Sequence, residues 1–410
     1  MASDDTGSGG TLSALRHGNF RQYFAAQVIS NVGTWVQITV ENWLVLELTH
    51  SALAVAVTNA LQFGPLLLLG MYGGVVADRH DRRRVLIVTQ SCLGFLAFAL
   101  ALLMGSGIVR VWIIWLAAAG LGLVKCFDLP ALQSFVKDLV GPADLPNGVA
   151  WTNAISAIGR MVGPVLGGLV LAGLGIAAGF AINAATFALV VVVLAMLRTE
   201  ELSSRAPVAR MPGQVRQGLS YVWADPVLAT TSVVMTVVFV AAYNFQVSLA
   251  LIASDVLSGD GRTYGTLMSA LGLGAIVGSL IRARHARIGL PAILMCAGAL
   301  AATQLVVSVV HGLLPLFAAI FAYGLSAGLF SVTVIGTLQS QTLEEMRGRV
   351  MAVHSICFLG SSLVGGPAFG GLAEWLGVSG ALRVEAAICA VLALGVMVVR
   401  RAKRWSGRAV

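Results

Sequence analysis

The sequence predicts an all-α membrane protein of twelve transmembrane helices arranged as two pseudo-symmetric six-helix bundles. Three observations carry this. The 410 residues are 58% hydrophobic and only 11% charged, with a mean hydropathy of +0.88. The apolar residues fall in unbroken runs long enough to cross a bilayer, each needing about 20 residues. The second half repeats features of the first at an offset of about 200 residues, as a duplicated transporter would. A chain of this composition cannot hide its apolar surface in one water-soluble core. Only helices or closed barrels satisfy their backbone in hydrocarbon, and these runs lack the alternation of barrel strands.

Taken in order, residues 1–19 are acidic and Gly/Ser-rich at the start, lack a basic n-region and cleavage site, and read as a cytoplasmic tail. Apolar runs at 20–48, 51–76, 85–105, 110–132, 147–172 and 174–197 make a first bundle, 20–197. Residues 198–226 hold Pro207, Pro212 and several arginines and read as a cytoplasmic linker. Runs at 227–254, 263–283, 290–310, 313–340, 349–374 and 377–399 make the second bundle, 227–399, and 400–410 is a basic cytoplasmic tail. With both termini inside, 21 of the 26 Lys and Arg residues fall in inside segments, two fall outside and three lie within spans. That asymmetry is the positive-inside pattern of a multi-pass protein in the cytoplasmic membrane of a bacterium. The net charge of +8 therefore orients the chain and requires no nucleic acid.

Five cysteines lie inside apolar runs without paired spacing, and six histidines are scattered. No disulfide framework, metal site or catalytic constellation is signalled, so neither an enzyme nor a cofactor is expected. Gly272 and Gly274 do not form a nucleotide loop, because Val277 breaks the spacing and no strand precedes it.

Polar residues inside the spans point to transport. Tyr23, Gln27, Ser30, Thr34, Gln37 and Glu41 recur every three or four residues, placing them within an arc of about 80° on one helix face. In the seventh run, Ser232, Thr236, Phe239, Tyr243 and Gln246 repeat that spacing, and Glu41 corresponds to Gln246. Opposed, the two faces would line an aqueous substrate cavity; the alternative is hydrogen bonding between helices without a cavity. Glu41 is an isolated carboxylate at membrane depth, costly unless protonated, paired or wetted, and so a candidate for proton coupling. Asp128, with Lys125 on the same run and Arg160 on the next, suggests a pair between adjacent helices with a coupling or a structural role. Arg383 and Glu385 are read as snorkelling near the outer end of the last run, with no role.

Two glycine-containing motifs complete the pattern. Gly74-Val-Val-Ala-Asp78-Arg79-His-Asp-Arg82-Arg83 joins small residues to a dense charge cluster that could latch one conformation; its second copy, Arg284-His285-Ala286-Arg287, is degenerate. Gly159, Gly163, Pro164, Gly167 and Gly168 give the fifth run a small-residue face suited to close packing or a hinge, and recur as Gly366-Pro367-Ala368-Phe369-Gly370-Gly371.

These residues resemble the major facilitator superfamily. The first motif looks like its signature between helices 2 and 3, and the second is similar to the helix 5 motif of its drug-exporting proton antiporters. Similarity extends over nearly the whole chain toward the branch of the enterobactin exporter and transmembrane secretion effectors. It includes Gln27-Val-Ile-Ser-Asn-Val-Gly33, Trp43-Leu-Val-Leu-Glu-Leu-Thr49, Asp128-Leu-Pro130 and Arg347-Gly-Arg-Val-Met-Ala352. One departure is Leu132, where members often carry Arg. The resemblance implies alternating access by rocking bundles, with Asp78 and Arg82 latching the cytoplasmic side. It also implies that the helix 5 glycines shape the bundle interface and limit ion leak. The expected function is a proton-coupled exporter, acting as a monomer, of an amphipathic small molecule such as a drug or siderophore-like metabolite. The alternatives are a nutrient importer or facilitator on the same fold, and a membrane scaffold or receptor that moves nothing.

Overall fold

The structure, a computed structural model, describes residues 13–201, 214–283 and 289–406. Among them it is helical throughout, with no strand. The first bundle comprises α1 (Gly18–Thr49), α2 (Ala52–Arg79), α3 (Arg82–Ser106), α4 (Val111–Val140), α5 (Leu145–Gly173) and α6 (Ile176–Met196). An eleven-residue helix α7 (Gln214–Ala224) precedes the second bundle, which comprises α8 (Pro226–Ala242), α9 (Phe245–Leu251), α10 (Gly261–Ala283), α11 (Leu290–Val309), α12 (Leu313–Gln341) and α13 (Arg347–Ser406).

Ten stretches among the described residues are long and apolar enough to span a bilayer. One of them contains two crossings. Gly377, with φ +71°, turns the chain inside α13 where a side chain would be strained, so the helix doubles back into crossings eleven and twelve. The remaining crossing is α1, long enough at 32 residues but kept out of the ten by its polar side chains. Twelve crossings result.

Short side-chain caps set the turns. Ser51, Asp81 and Asp225 accept hydrogen bonds from the first backbone N–H groups of α2, α3 and α8, which would otherwise be unsatisfied. The seventh crossing, read from sequence as one helix, is broken: α8 ends at Ala242, α9 begins at Phe245, and Ile252–Val256 closes as a π-turn. Within the linker expected over 198–226, Gln214–Ala224 form the helix α7. This helix docks on the second bundle through buried Val222, through Gly218 against Arg349, and through Tyr221 Oη, which accepts from the Leu343 N–H at 3.3 Å.

Within the first bundle α1 packs along α5 and α6, α2 along α4, and α3 along α6; in the second, α10 packs on α12 and α11 on α12 and α13. The bundles meet along two seams, α5 with α10 and α2 with the first crossing of α13. Contacts across both run from the ends remote from the chain termini to about mid-helix. Gly168 meets Gly265, and Trp43 stacks on Tyr264 with ring centroids 5.5 Å apart. Ser269 Oγ donates to the Val165 carbonyl at 3.2 Å, while Gly370 lies against Ala52 and Leu53, and Gly366 against Ala56. At the remote face the two bundles are thus in close contact, with backbone approaching backbone at Gly168 and Gly265. A Cβ on either Gly168 or Gly265 would overlap the other's carbonyl, which is why this seam is glycine.

Candidate transport site

On the termini side of the first bundle, α1, α4 and α5 enclose a small pocket of about 50 Å³. Its polar lining is Tyr23, Gln27, Asn31, Thr152 and Ser156; Phe20, Phe24 and Leu132 are among its apolar walls. Gln27 Nε2 donates to Tyr23 Oη at 2.9 Å, and Asn31 Oδ1 is buried without a donor. Tyr23 and Gln27 belong to the polar stripe read from sequence. The rest of that stripe goes elsewhere.

Thr34 is buried and donates to the Ser30 carbonyl on its own helix. Gln37 Oε1 accepts from Asn183 Nδ2 of α6 at 2.7 Å, and Gln37 Nε2 donates to Glu41 Oε2 at 3.3 Å. All six stripe residues are buried. The stripe therefore divides between pocket wall and interhelical hydrogen bonding, each such bond contributing about 1 kcal/mol. Glu41 is 2% exposed, its Oε1 has no donor, and no basic side chain pairs with it among the described residues.

Asp128 does not pair with Arg160. It is buried and accepts from Thr89 Oγ1 at 2.6 Å and Gln90 Nε2 at 2.9 Å, which ties α4 to α3. Lys125 is not ion-paired to it either. The neighbouring helix offers a hydroxyl and an amide at shorter reach than α5 offers its guanidinium, and these two neutral donors both meet Oδ1 of the carboxylate.

Arg160 instead crosses the bundle interface, its guanidinium carbon 5.6 Å from the centre of the Phe358 ring. Phe358 belongs to an aromatic cluster of the second bundle. Phe239 meets it edge-on at 5.2 Å, Phe330 meets Phe239 at 6.0 Å, and Tyr243 lies 4.9 Å from Phe239 with its hydroxyl donated to the Ala327 carbonyl at 2.7 Å. Thr236 bonds to the Ser232 carbonyl of its own helix, and Gln246 is half-buried in α9.

Of the latch residues, Gly74 and Asp78 lie in the stretch 71–78, whose side chains are outside the described residues, as is the degenerate copy at 284–287. Arg79 is exposed. Arg82 forms a partly buried pair with Asp138 of α4, Nη1 lying 2.7 and 2.9 Å from the two carboxylate oxygens. Arg83 donates to the Leu194 and Ala195 carbonyls at 2.6 and 2.8 Å, capping the end of α6. Arg82 and Arg83 thus bind elements of their own bundle. The helix 5 glycines split by target: Gly159 and Gly163 face Asn31 and Trp35, Gly167 faces Thr39, and Gly168 alone faces the other bundle.

Sequence reasoning missed Asn31, Thr152 and Ser156 in the pocket, and it misread Glu385. That carboxylate is 4% exposed and lies inside the second bundle, not snorkelling, while Arg383 is exposed. It accepts from Asn244 Nδ2 at 3.2 Å and Gln304 Nε2 at 2.9 Å. These two amides also serve the broken seventh crossing, Asn244 donating to the Val240 carbonyl and Gln304 to that of Ala241; Tyr323 Oη takes that of Ala242 at 2.8 Å.

Residues 9–407 match the family model described as transmembrane secretion effector. Among curated proteins the chain is 27% identical over 402 residues to the enterobactin exporter EntS of Shigella flexneri, covering 95% of this chain and 92% of that protein. It is likewise 27% identical over 415 residues to EntS of Escherichia coli O1:K1, with the same coverage. Among solved structures, a bacterial homologue of the human lysosomal transporter Spinster, in an inward-facing and occupied conformation, superposes with TM-score 0.70 at 13% identity, covering 94% of this chain and 97% of that one. The nucleoside transporter NupG gives 0.70 at 13% identity, covering 93% and 98%.

Proposed function

Because this chain belongs to the transmembrane secretion effector family of major facilitator transporters, we propose that it exports amphipathic small molecules from the bacterial cytoplasm by proton-coupled alternating access. That it is a multi-pass membrane transporter and not an enzyme follows from the family. The observation that supports the finer reading is the asymmetry of the bundle interface. The remote ends are in close contact along both seams, Gly168 against Gly265 and Gly370 against Ala52 and Leu53, while the polar pocket of α1, α4 and α5 lies on the termini side.

With both termini cytoplasmic, as the basic residues favour, this is a form closed to the outside with its pocket toward the cell interior. An exporter loads in that form. The relatives named enterobactin exporters favour the outward direction over the importer reading. Glu41 supplies the coupling group in this account. It is a carboxylate without a counter-charge, held by one long hydrogen bond, whose occupancy by a proton changes whether the buried site carries charge. Rocking then opens the Gly168–Gly265 seam and closes the termini side.

The test uses proteoliposomes with an imposed pH gradient and a fluorescent amphipathic dye. Wild-type protein should drive dye against its gradient as protons run the other way, and Glu41→Gln should abolish this while leaving dye exchange at equal pH. Unchanged coupling in Glu41→Gln rejects Glu41. Dye moving in the same direction as protons rejects export in favour of import.

A further inference from the structure

Arg160 sits mid-way along α5, where an unpaired cation is costly. No carboxylate pairs with it among the described residues. Its side chain is exposed. Thr152, Ser156 and Arg160 recur at intervals of four, hence along one face of α5, and Thr152 and Ser156 line the pocket. From that same face, one turn beyond Ser156, the guanidinium reaches the second bundle, over Phe358. There the chain has built rings instead of a counter-ion: Phe239, Phe330 and Phe358 from α8, α12 and α13, with Tyr243 just past the end of α8, packed edge to face. His354 stacks on Phe358 at an interplanar angle of 6°, and its Nε2 is buried with no hydrogen-bond partner.

We propose that Arg160 and the rings around Phe358 form a substrate subsite for an aromatic carboxylate, a flat ring bearing a carboxylate group. The guanidinium fork presents planar donors matched to a carboxylate. His354 Nε2 offers a further polar atom in the same cluster. The ring faces and edges suit a second aromatic system, which they bind better than a saturated one of equal size. Tyr243 has committed its hydroxyl to Ala327, so it contributes ring surface. A cation–π contact with Phe358 holds Arg160 in place while no anion is present. The two components come from opposite bundles, so one bound molecule would touch both and its fit would change as they rock. This rests on the transport reading above and specifies its substrate class.

The experiment is calorimetric titration of the detergent-purified protein with 2-naphthoate, 2-naphthamide and decahydro-2-naphthoate. Naphthoate should bind about tenfold or more tightly than naphthamide, because the acid meets the guanidinium with an opposite charge and two acceptor oxygens where the amide offers one neutral acceptor, and several-fold more tightly than the saturated acid. Arg160→Gln should erase the first preference and leave the second, and Phe358→Leu should do the reverse. Arg160→Lys, which keeps charge without the fork, should retain a reduced preference for the acid, and serves if the glutamine variant does not fold. A wild-type protein indifferent to charge, or to ring saturation, overturns the proposal, as does an Arg160→Gln protein that still prefers the acid. Binding in detergent needs no gradient, so the two readings fail separately. Naphthoate bound with these preferences but never moved in vesicles sinks transport alone, and dye export without naphthoate binding sinks the subsite alone.

Discussion

Gln304 donates one amide hydrogen to Glu385 at 2.9 Å and the other to the Ala241 carbonyl at 3.2 Å, so a single side chain joins a buried carboxylate on the last crossing to the break in the seventh. Glu385 has no basic partner among the described residues, and its two oxygens are held by amides alone. Removing it leaves an N–H on both Asn244 and Gln304 without an acceptor. Glu385→Leu should therefore destabilise the protein by about 2–4 kcal/mol, read as a fall in thermal midpoint in detergent. Gln304→Leu should cost less once Glu385 is already leucine. Strict additivity of the two substitutions would show that the contact carries no energy.

At the remote seam, an added methyl has nowhere to go. Gly168→Ala places a Cβ into the Gly265 carbonyl and should cost about 1–3 kcal/mol in the closed form only. The population should then move about fivefold or more toward separated remote ends. Maleimide labelling of a cysteine at Leu171, buried beside this seam, should speed up by that factor in a background lacking the five native cysteines. An unchanged labelling rate would mean the seam does not hold the bundles together.

Arg82 and Asp138 are each about 15% exposed, so their attraction is only partly screened. Removing either partner should lower stability by about 1–2 kcal/mol, discounted from a fully buried pair. Arg82→Ala with Asp138→Ala should cost little more than one alone. Because the pair joins α3 to α4 within one bundle, the loss should appear in unfolding midpoint. Unfolding midpoints equal to wild type in both single variants would remove the pair's structural role.

Near the chain start, His17 Nε2 and Asp144 Oδ2 lie 2.8 Å apart, and the Ala14 N–H donates to Asn147 Oδ1 at 3.1 Å. The hydrogen bond from His17, then one from Ser13, holds the Asp144 carboxyl below the ordinary carboxylate range. A lowered folded-state value means this docking is fully present above the ordinary Asp pKa of about 3.9 and is lost as pH falls through the lowered value. Amide exchange of residues 13–18, corrected for its intrinsic pH dependence, should show protection at pH 6 that declines as the medium is acidified below the ordinary Asp value, and His17→Ala should remove that decline. Protection unchanged through the whole acid titration would contradict it.

The architecture was legible because hydrocarbon permits so few solutions: apolar run length gave the crossings and the basic residues gave an orientation to test. The internal destination of polar groups was not. The α1 stripe was visible in its spacing, yet spacing cannot say whether a polar face meets water or another helix, and Gln37 met Asn183 of α6. Asp128 and Arg160 looked like a pair because only charge was considered; Thr89 and Gln90, neutral and close, took the carboxylate. Glu385, Gln304 and Asn244 lie on three separate crossings, so no periodicity links them, and only the fold brings them together. The carboxylate inside an apolar run was itself the signal, and reading it as snorkelling discarded it.

The weak hydropathy of α1 bears on how the protein is made. Among the crossings of its bundle α1 has the weakest driving force for partition into lipid, and the neighbours it packs along, α5 and α6, are synthesised after it and are the last of that bundle. Its polar side chains must stay sheltered by the translocon or a chaperone until then. Truncated nascent chains ending before α5 should leave α1 extractable by alkali, whereas chains extending past α6 should hold it fast.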